Sequence, residues 1–411
     1  MRSLLSGRQA LIVLGMTIAS IVLMVVLLGS LPHLGYTSDF HTEAWPSYQA
    51  LAAGHVAEFF RLGPPYIGSL VLRAPFAMLA LASGGSSRAV YIASSVPCLA
   101  AVPVLAIWLS RRQRDAARSR ASSALLVGLF VLNPIVWFCL GCGHPEEILG
   151  ACLSIAAVVL AAEGRAPATT GVLLGLAVVN QPWALAVVPV VFAVIPARRL
   201  RAAVLAGTII AIGYAPIVIA HLTAGGAAGS LALGIGNIFY SPFLGWWLGP
   251  SAWTARYAHE LIIVVACLCG GAWWMLRGRQ PSSVEERRAD GLALLALVLL
   301  LRCALDPWNN TYYVLPFIFT VIACEGDGRW RLAILCSALF FVAARPAEMF
   351  KIPFDHTSPL NAAVYAVVAV PTLAVLVIRV YGSRVVWARV ATSSRRRRGT
   401  RRTVPLRGVG T

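Results

Sequence analysis

Residues 122–163 read SSALLVGLFVLNPIVWFCLGCGHPEEILGACLSIAAVVLAAE, and this stretch decides the fold. Two apolar runs, 122–142 and 147–163, flank the polar group Gly143-His144-Pro145-Glu146-Glu147. Each run is close to the length that crosses the hydrocarbon core of a bilayer as one helix. The pattern therefore predicts two membrane-spanning helices joined by a short polar turn.

The rest of the chain repeats this pattern. Of its 411 residues, 59% are hydrophobic and only 12% are charged, whereas a soluble domain is about half apolar and about a quarter charged. This composition excludes a disordered chain and a soluble enzyme. Further apolar segments lie at 9–31, 88–110, 202–221, 257–276, 290–305, 312–324, 331–345 and 361–380. We therefore expect an all-α polytopic membrane protein with about ten full transmembrane helices.

The basic residues predict the orientation. The formal net charge is +18, and an alternating topology puts 27 of the 34 basic residues on one side and 7 on the other. Basic loops stay in the cytoplasm, so we expect a multi-pass plasma (inner) membrane protein with both termini cytoplasmic. The basic tail, 385–411, is interpreted as a solvated segment drawn to anionic lipid, and no nucleic-acid partner is expected.

Two apolar segments do not fit a simple span. Residues 68–83 carry Arg73, and a crossing there would reverse the charge pattern, so we expect an interfacial helix on the outer surface. Residues 170–195 have basic loops at both ends and are too short to cross twice. They are predicted to form a half-span helical hairpin with Asn180-Gln181-Pro182-Trp183 at its tip.

The predicted outer side collects the polar chemistry. It holds all seven histidines and nine of the 16 acidic residues. In the first outer loop, 32–87, Asp39 is a candidate general base, and an N-cap role is its structural alternative. Glu43, four residues on, is a candidate for the same role or a support for Asp39. His41 and Trp45 suit a sugar, which needs aromatic faces and hydrogen-bonding groups.

Two later groups have the same character. His144 suits a phosphate or hydroxyl, while Glu146 and Glu147 have a structural alternative at the positive end of the next helix. Arg302 lies in an apolar helix, and a charge there is usually kept for a partner. With His144 it could bind a lipid-linked phosphate or simply extend to headgroups. Glu146 is also a candidate substrate contact, as are six residues of the same predicted outer layer: Arg256, Asp306, Trp308, Asn309, Tyr312 and Arg345.

These motifs, in this order along the chain, resemble the GT-C superfamily of membrane glycosyltransferases. The resemblance is closest to actinobacterial polyprenol-phosphate-mannose-dependent mannosyltransferases and covers roughly the whole chain up to residue 380. It rests on the loop with Asp39, Gly63-Pro64-Pro65-Tyr66 before a surface helix, the group at 143–147, the hairpin with Gln181-Pro182-Trp183, and Leu305-Asp306-Pro307-Trp308-Asn309-Asn310-Thr311-Tyr312-Tyr313.

The resemblance implies a GT-C-like bundle and an extracytoplasmic active site. It implies inverting transfer of a sugar, mannose or a pentose such as arabinofuranose, from a polyprenyl-phosphate donor to a glycolipid or glycan acceptor. Asp39 or Glu43 would be the base. Adjacent carboxylates are missing and the leaving group is already a lipid phosphate, so metal-independent catalysis without a cofactor is expected. The alternatives are a transporter or flippase of a lipid-linked sugar and a non-catalytic assembly partner.

Overall fold

The computed structural model describes residues 7–30, 39–114, 120–223, 253–277, 281, 283–305, 311–325, 330–343 and 359–382. Within these ranges the regular structure is helical throughout, with no strands. The first helices are α1 (Gly7–Ser30), α2 (Trp45–Ala52), α3 (Val56–Leu62), α4 (Ile67–Ala82), α5 (Ser87–Arg114), α6 (Arg120–Val131), α7 (Pro134–Cys142) and α8 (Pro145–Glu163). A five-residue π-helical turn, Phe40–Ala44, precedes α2.

The second half continues in the same way. Its helices are α9 (Pro167–Asn180), α10 (Val188–Val194), α11 (Arg199–Thr223), α12 (Trp253–Leu276), α13 (Val284–Leu305), α14 (Leu315–Glu325), α15 (Trp330–Ala343) and α16 (Pro359–Tyr381). Short 3₁₀ turns, Pro182–Val187 and Thr311–Val314, precede α10 and α14.

Six helical segments of the described residues are long and apolar enough to cross a membrane. They are Gln9–Val26, Ser87–Arg112, Ala124–Cys142, Pro145–Glu163, Arg199–Ala220 and Ala363–Tyr381. The chain is thus an all-α protein of membrane-spanning character. The expected number of about ten full spans stays a prediction. Other apolar helices of the described residues, such as Tyr312–Cys324 and Arg331–Ala343, are shorter. At 1.5 Å per residue they cover about 20 Å.

The central helix is α8. Of the residues of α8, 78% are buried, whereas only 11% are buried in the spanning part of α11, which presents an apolar surface outward. The 19 residues of α8 extend about 28 Å, close to the thickness of the hydrocarbon core. Polar clusters lie at both of its ends: Glu146 and Glu147 at the start, and Glu163 at the end, where Arg112 Nε donates to it at 2.6 Å.

The span expected at 122–142 is interrupted. Asn133 ends one helical segment and caps the next, since its side-chain oxygen accepts from the backbone N–H of Ile135 at 3.1 Å. Pro134 then occupies the first turn of α7, where a missing N–H costs nothing. The single predicted helix is therefore two helices, α6 and α7.

The segment expected to be a hairpin folds back at Gln181, where extended backbone separates α9 from the following 3₁₀ turn. The Asn180 side chain donates to the backbone oxygen of Glu146 at 2.8 Å, so the fold-back lies at the start of α8. Its other end returns to the far end of α8, where a Cβ on Gly164 would lie 2.6 Å from Pro196. The depth of this hairpin in a membrane stays a prediction.

Candidate active site at the start of the central helix

A tight turn between α7 and α8 presents His144. Gly143 adopts a left-handed conformation, φ 95°, which favours glycine, and the backbone N–H of His144 donates to Cys139 O at 3.1 Å. Pro145 begins α8 with the φ that a first helical turn needs. The turn therefore places Glu146 and Glu147 at the positive end of the helix dipole.

Both ring nitrogens of His144 contact a carboxylate. Nε2 lies 3.0 Å from Asp39 Oδ2, and Nδ1 lies 2.7 Å from Glu146 Oε1. Ionised carboxylates only accept hydrogen bonds, so an imidazolium, which donates from both nitrogens, satisfies both contacts. Burial opposes this charge, but Glu146 and Asp39 outweigh burial and raise the pKa of His144 well above its ordinary value.

The His144 ring is held between aromatic side chains. Tyr312 stacks on it with ring centroids 4.5 Å apart and planes 20° from parallel, and Tyr66 meets it edge-on at 6.1 Å. A cation over an aromatic face is stabilised by the negative potential of the ring. Tyr312, which the sequence analysis assigned to substrate binding, therefore also fixes the plane of His144.

The line of charges continues inward to Arg73. Glu146 Oε2 accepts from Arg73 Nη1 at 3.1 Å, and the two side chains are 0% and 1% exposed. Ser94 completes the guanidinium environment: its backbone oxygen accepts from Nε at 3.0 Å and its hydroxyl accepts from Nη2 at 3.2 Å. We call Asp39, His144, Glu146 and Arg73 the charge network. Their charges alternate and balance.

The environment of Arg73 was not predicted. One face of α4, which includes Ile67, Leu70, Arg73 and Ala77, is buried in the protein, while Leu79 on the same helix is 72% exposed. The interfacial position expected for this helix stays a prediction. Glu146, expected to touch a substrate, is likewise buried and contacts His144 and Arg73 instead. The signal for Arg73 was present in the sequence as a single cation in an apolar helix, a position that usually implies a buried partner.

Asp39 is the most exposed member of the charge network. Its side chain is 38% exposed, compared with 8% for His144. It occupies the N-cap position of the π-helical turn but makes no side-chain capping bond, so its carboxylate is not used for capping. The network therefore opens to the surface through this carboxylate.

Glu43 occupies a different environment from Asp39. Its carboxylate accepts from the hydroxyl of Tyr66, and burial raises the pKa of Glu43 above its ordinary value. No imidazole or guanidinium hydrogen-bonds to it among the contacts of the described residues. Of the two candidate bases, Asp39 is the one held by a cation, whereas Glu43 is held by the Tyr66 hydroxyl.

The π-helical turn also places the two predicted sugar contacts. Phe40 and Ala44 are buried, and the Phe40 ring packs on Tyr91 with centroids 5.0 Å apart. His41 and Trp45, partly exposed, lie on the same turn with ring centroids 6.3 Å apart. Buried anchors thus leave an imidazole and an indole next to Asp39.

A second polar cluster adjoins the charge network through α8. Glu147 Oε2 accepts from the indole N–H of Trp183 at 2.8 Å, so the hairpin tip joins the site. The guanidinium of Arg302 lies 4.4 Å from the Tyr313 ring and 5.5 Å from the Trp183 ring, and its charge acts on Glu147. Arg302 is 6% exposed, so it is kept inside the protein and does not extend to headgroups.

The remaining predicted contacts are outside what the structure describes. Asp306, Trp308, Asn309 and Arg345 lie outside the described residues, and Arg256 belongs to α12 with its side chain outside them.

Within the described ranges no group of three or more His, Cys, Asp or Glu residues is placed to hold a metal ion. Asp39 and Glu146 approach different nitrogens of one imidazole, an arrangement that suits proton transfer.

Comparison with protein-family models, curated proteins and solved structures gave no significant match.

Proposed function

We propose that the protein is a membrane glycosyltransferase that moves a sugar from a polyprenyl-phosphate donor to a hydroxyl of a glycolipid or glycan acceptor. The observation that carries the proposal is the partly exposed Asp39 carboxylate held by the buried His144 imidazole. Both alternative functions lack a specific reason for such an arrangement. The resemblance of the sequence motifs to GT-C enzymes supports the same conclusion.

In the proposed reaction Asp39 accepts the proton of the acceptor hydroxyl. The acceptor oxygen forms a bond to the anomeric carbon, and the bond from that carbon to the phosphate oxygen breaks with its electron pair, so the configuration inverts. General-base catalysis of this kind contributes about 100-fold to 10,000-fold. The His144 imidazolium holds Asp39 ionised before the acceptor arrives.

The donor end of the site needs positive charge for the departing phosphate. Arg302 is the candidate, because it lies beside Glu147 and Trp183 at the hairpin tip and is kept charged inside the protein. His144 is less suited than the sequence suggested, since both its nitrogens already contact carboxylates. His41 and Trp45 would contact the sugar rings. No metal is required by this scheme, because a lipid phosphate is a stabilised leaving group.

The test is sugar transfer by the purified full chain in detergent, with a radiolabelled polyprenyl-phosphate sugar and a membrane lipid extract as acceptor. Asp39→Asn is expected to lower the turnover at least about 100-fold with little change in donor affinity. The matched control is Glu58→Gln, a surface carboxylate that pairs with Arg61. Full activity of Asp39→Asn, or an equal loss in the control, would refute the assignment.

The orientation of the site has its own test. Thr42 is exposed on the π-helical turn next to Asp39. In intact cells Thr42→Cys should react with a membrane-impermeant thiol reagent, in a background where the exposed Cys269 is replaced by serine. Reaction only after permeabilisation would place the site on the cytoplasmic side and contradict the proposed localisation.

A further inference from the structure

The inner end of the charge network has no direct role in the proposed reaction. Arg73 is 1% exposed, and its described contacts are to Glu146 and Ser94. Burying a cation is costly, and a buried ion pair is often no more stabilising than apolar side chains of similar size. Stability alone therefore gives little reason for an arginine at this position.

The geometry connects Arg73 to the candidate base. Glu146 uses one carboxylate oxygen for Arg73 and the other for His144 Nδ1, and His144 uses its second nitrogen for Asp39. Without the Arg73 guanidinium, the proton between His144 Nδ1 and Glu146 would be drawn from the ring to the carboxylate, which has lost the cation that stabilises its ionised form. A protonated Glu146 would favour the neutral form of His144, and Asp39 would then lose its cationic neighbour.

The network also ends at Arg73. A guanidinium is not deprotonated in proteins, so a proton cannot leave the network at its inner end. Protons therefore enter and leave by way of Asp39, its exposed member. This makes Arg73 a fixed charge and not part of a proton wire.

We infer that Arg73 is a positioning residue of the site: by neutralising Glu146 it keeps His144 charged and donating from both nitrogens, and thereby holds Asp39 ionised and ready to accept a proton. The kinetic part of this inference rests on the proposed function. The structural part, the charge state of His144, does not.

Several ionisable groups face His144 from the surrounding elements, and all belong to its environment. They are Asp39 and Glu43 from the π-helical turn, Tyr66 just before α4, Cys139 from α7, Glu146 and Glu147 from α8, and Tyr312 from the 3₁₀ turn before α14. Arg73 contacts Glu146 behind them. Of the two that hydrogen-bond to the ring, only Glu146 also bonds to Arg73. Substitution of Arg73 should therefore reach His144 through Glu146.

The direct experiment is ¹⁵N NMR of histidine-labelled protein in detergent, with the His144 signal among the seven histidines identified by its loss in His144→Gln. The wild type should keep both ring nitrogens protonated to higher pH than an exposed histidine. In Arg73→Met and in Glu146→Gln the His144 ring should lose its positive charge at a lower pH than in the wild type. Arg73→Lys should titrate like the wild type. The matched control, Arg61→Met on the surface of α3, should leave the titration unchanged.

If Arg73→Met does not fold, the double variant Arg73→Met with Glu146→Gln removes both buried charges and takes its place. A wild-type His144 titration in a folded Arg73→Met or in the double variant would overturn the inference, since a purely structural role predicts that result.

Kinetics separates this inference from the proposed function. If the wild type transfers sugar, the acid limb of its kcat/KM profile should move to higher pH in Arg73→Met and Glu146→Gln, so that the rate on the acid side falls roughly tenfold relative to the plateau. An active enzyme with unshifted limbs refutes the role of Arg73 while the proposed function stands. If the NMR titrations of the variants shift but the protein transfers no sugar, the proposed function is refuted while the effect of Arg73 on His144 stands.

Discussion

Replacing Arg73 by methionine should strongly destabilise the fold, because Glu146 loses the guanidinium and must either stay a buried charge or take the proton of His144. The arginine makes three hydrogen bonds, one to Glu146 and two to Ser94, and both ion-pair side chains are essentially inaccessible. Removing one partner of a buried pair costs about 3–5 kcal/mol. The double variant, which also replaces Glu146 by glutamine, should cost less than Arg73→Met alone, because no unpaired charge remains.

The unfolding free energy can be measured by equilibrium SDS titration in mixed micelles with a fluorogenic thiol reagent. The protein supplies its own reporters, since six of its nine cysteine thiols are buried. The control is again Arg61→Met, whose surface pair with Glu58 should contribute less than about 1 kcal/mol.

Two results would refute this reasoning. One is a cost below about 1 kcal/mol for Arg73→Met, which would mean that Glu146 does not depend on the guanidinium. The other is a double variant whose cost equals the sum of the two single variants. Additivity would show that the two side chains do not interact, contrary to their 3.1 Å contact.

Three further predictions use the same titration. Burial raises the pKa of Glu43, and a group with a raised folded-state pKa contributes stability below its ordinary pKa and loses that contribution as pH rises. The wild type should therefore lose stability relative to Glu43→Gln as pH rises above the ordinary carboxyl pKa of 4.5, and parallel curves would contradict this. Gly68→Ala should cost about 1–3 kcal/mol, because the added Cβ would lie 2.2 Å from a backbone oxygen of α9, whereas Gly207→Ala, with open space around it, should cost nothing. Trp183→Phe should cost about 1–3 kcal/mol by removing the indole donor from buried Glu147, and a cost near zero would show that the 2.8 Å contact is not a stabilising hydrogen bond.

The helices could be predicted well from hydropathy and from the residues that begin and end them. Apolar segments expected at 88–110 and 147–163 correspond to Ser87–Arg114 and Pro145–Glu163. The span expected at 122–142 corresponds to Ala124–Cys142, and what hydropathy did not show is its division at Pro134 into α6 and α7. Six spans are found among the described residues, and the expected number of about ten stays a prediction.

The site was only partly predictable. Asp39 and His144 were both candidates on the same predicted side, but they are 105 residues apart and their pairing depends on the packing of the π-helical turn against α8. The partner of Glu146 was missed for a different reason. The distribution of basic residues indicates the side of the membrane on which a loop lies, not how deeply a side chain is buried, so it placed Arg73 at the surface.

The fold-back at Gln181 has a consequence for the lengths of its helices. Asn180, the last residue of α9, reaches the backbone of Glu146 only if the helix has the right number of residues from its start at Pro167. One inserted residue would lengthen α9 by about 1.5 Å and turn Asn180 by about 100° around the helix axis. Insertions and deletions within 167–180 should therefore abolish the hydrogen bond between Asn180 and the backbone of Glu146. Insertions or deletions of the same size in exposed connecting segments should leave this hydrogen bond intact.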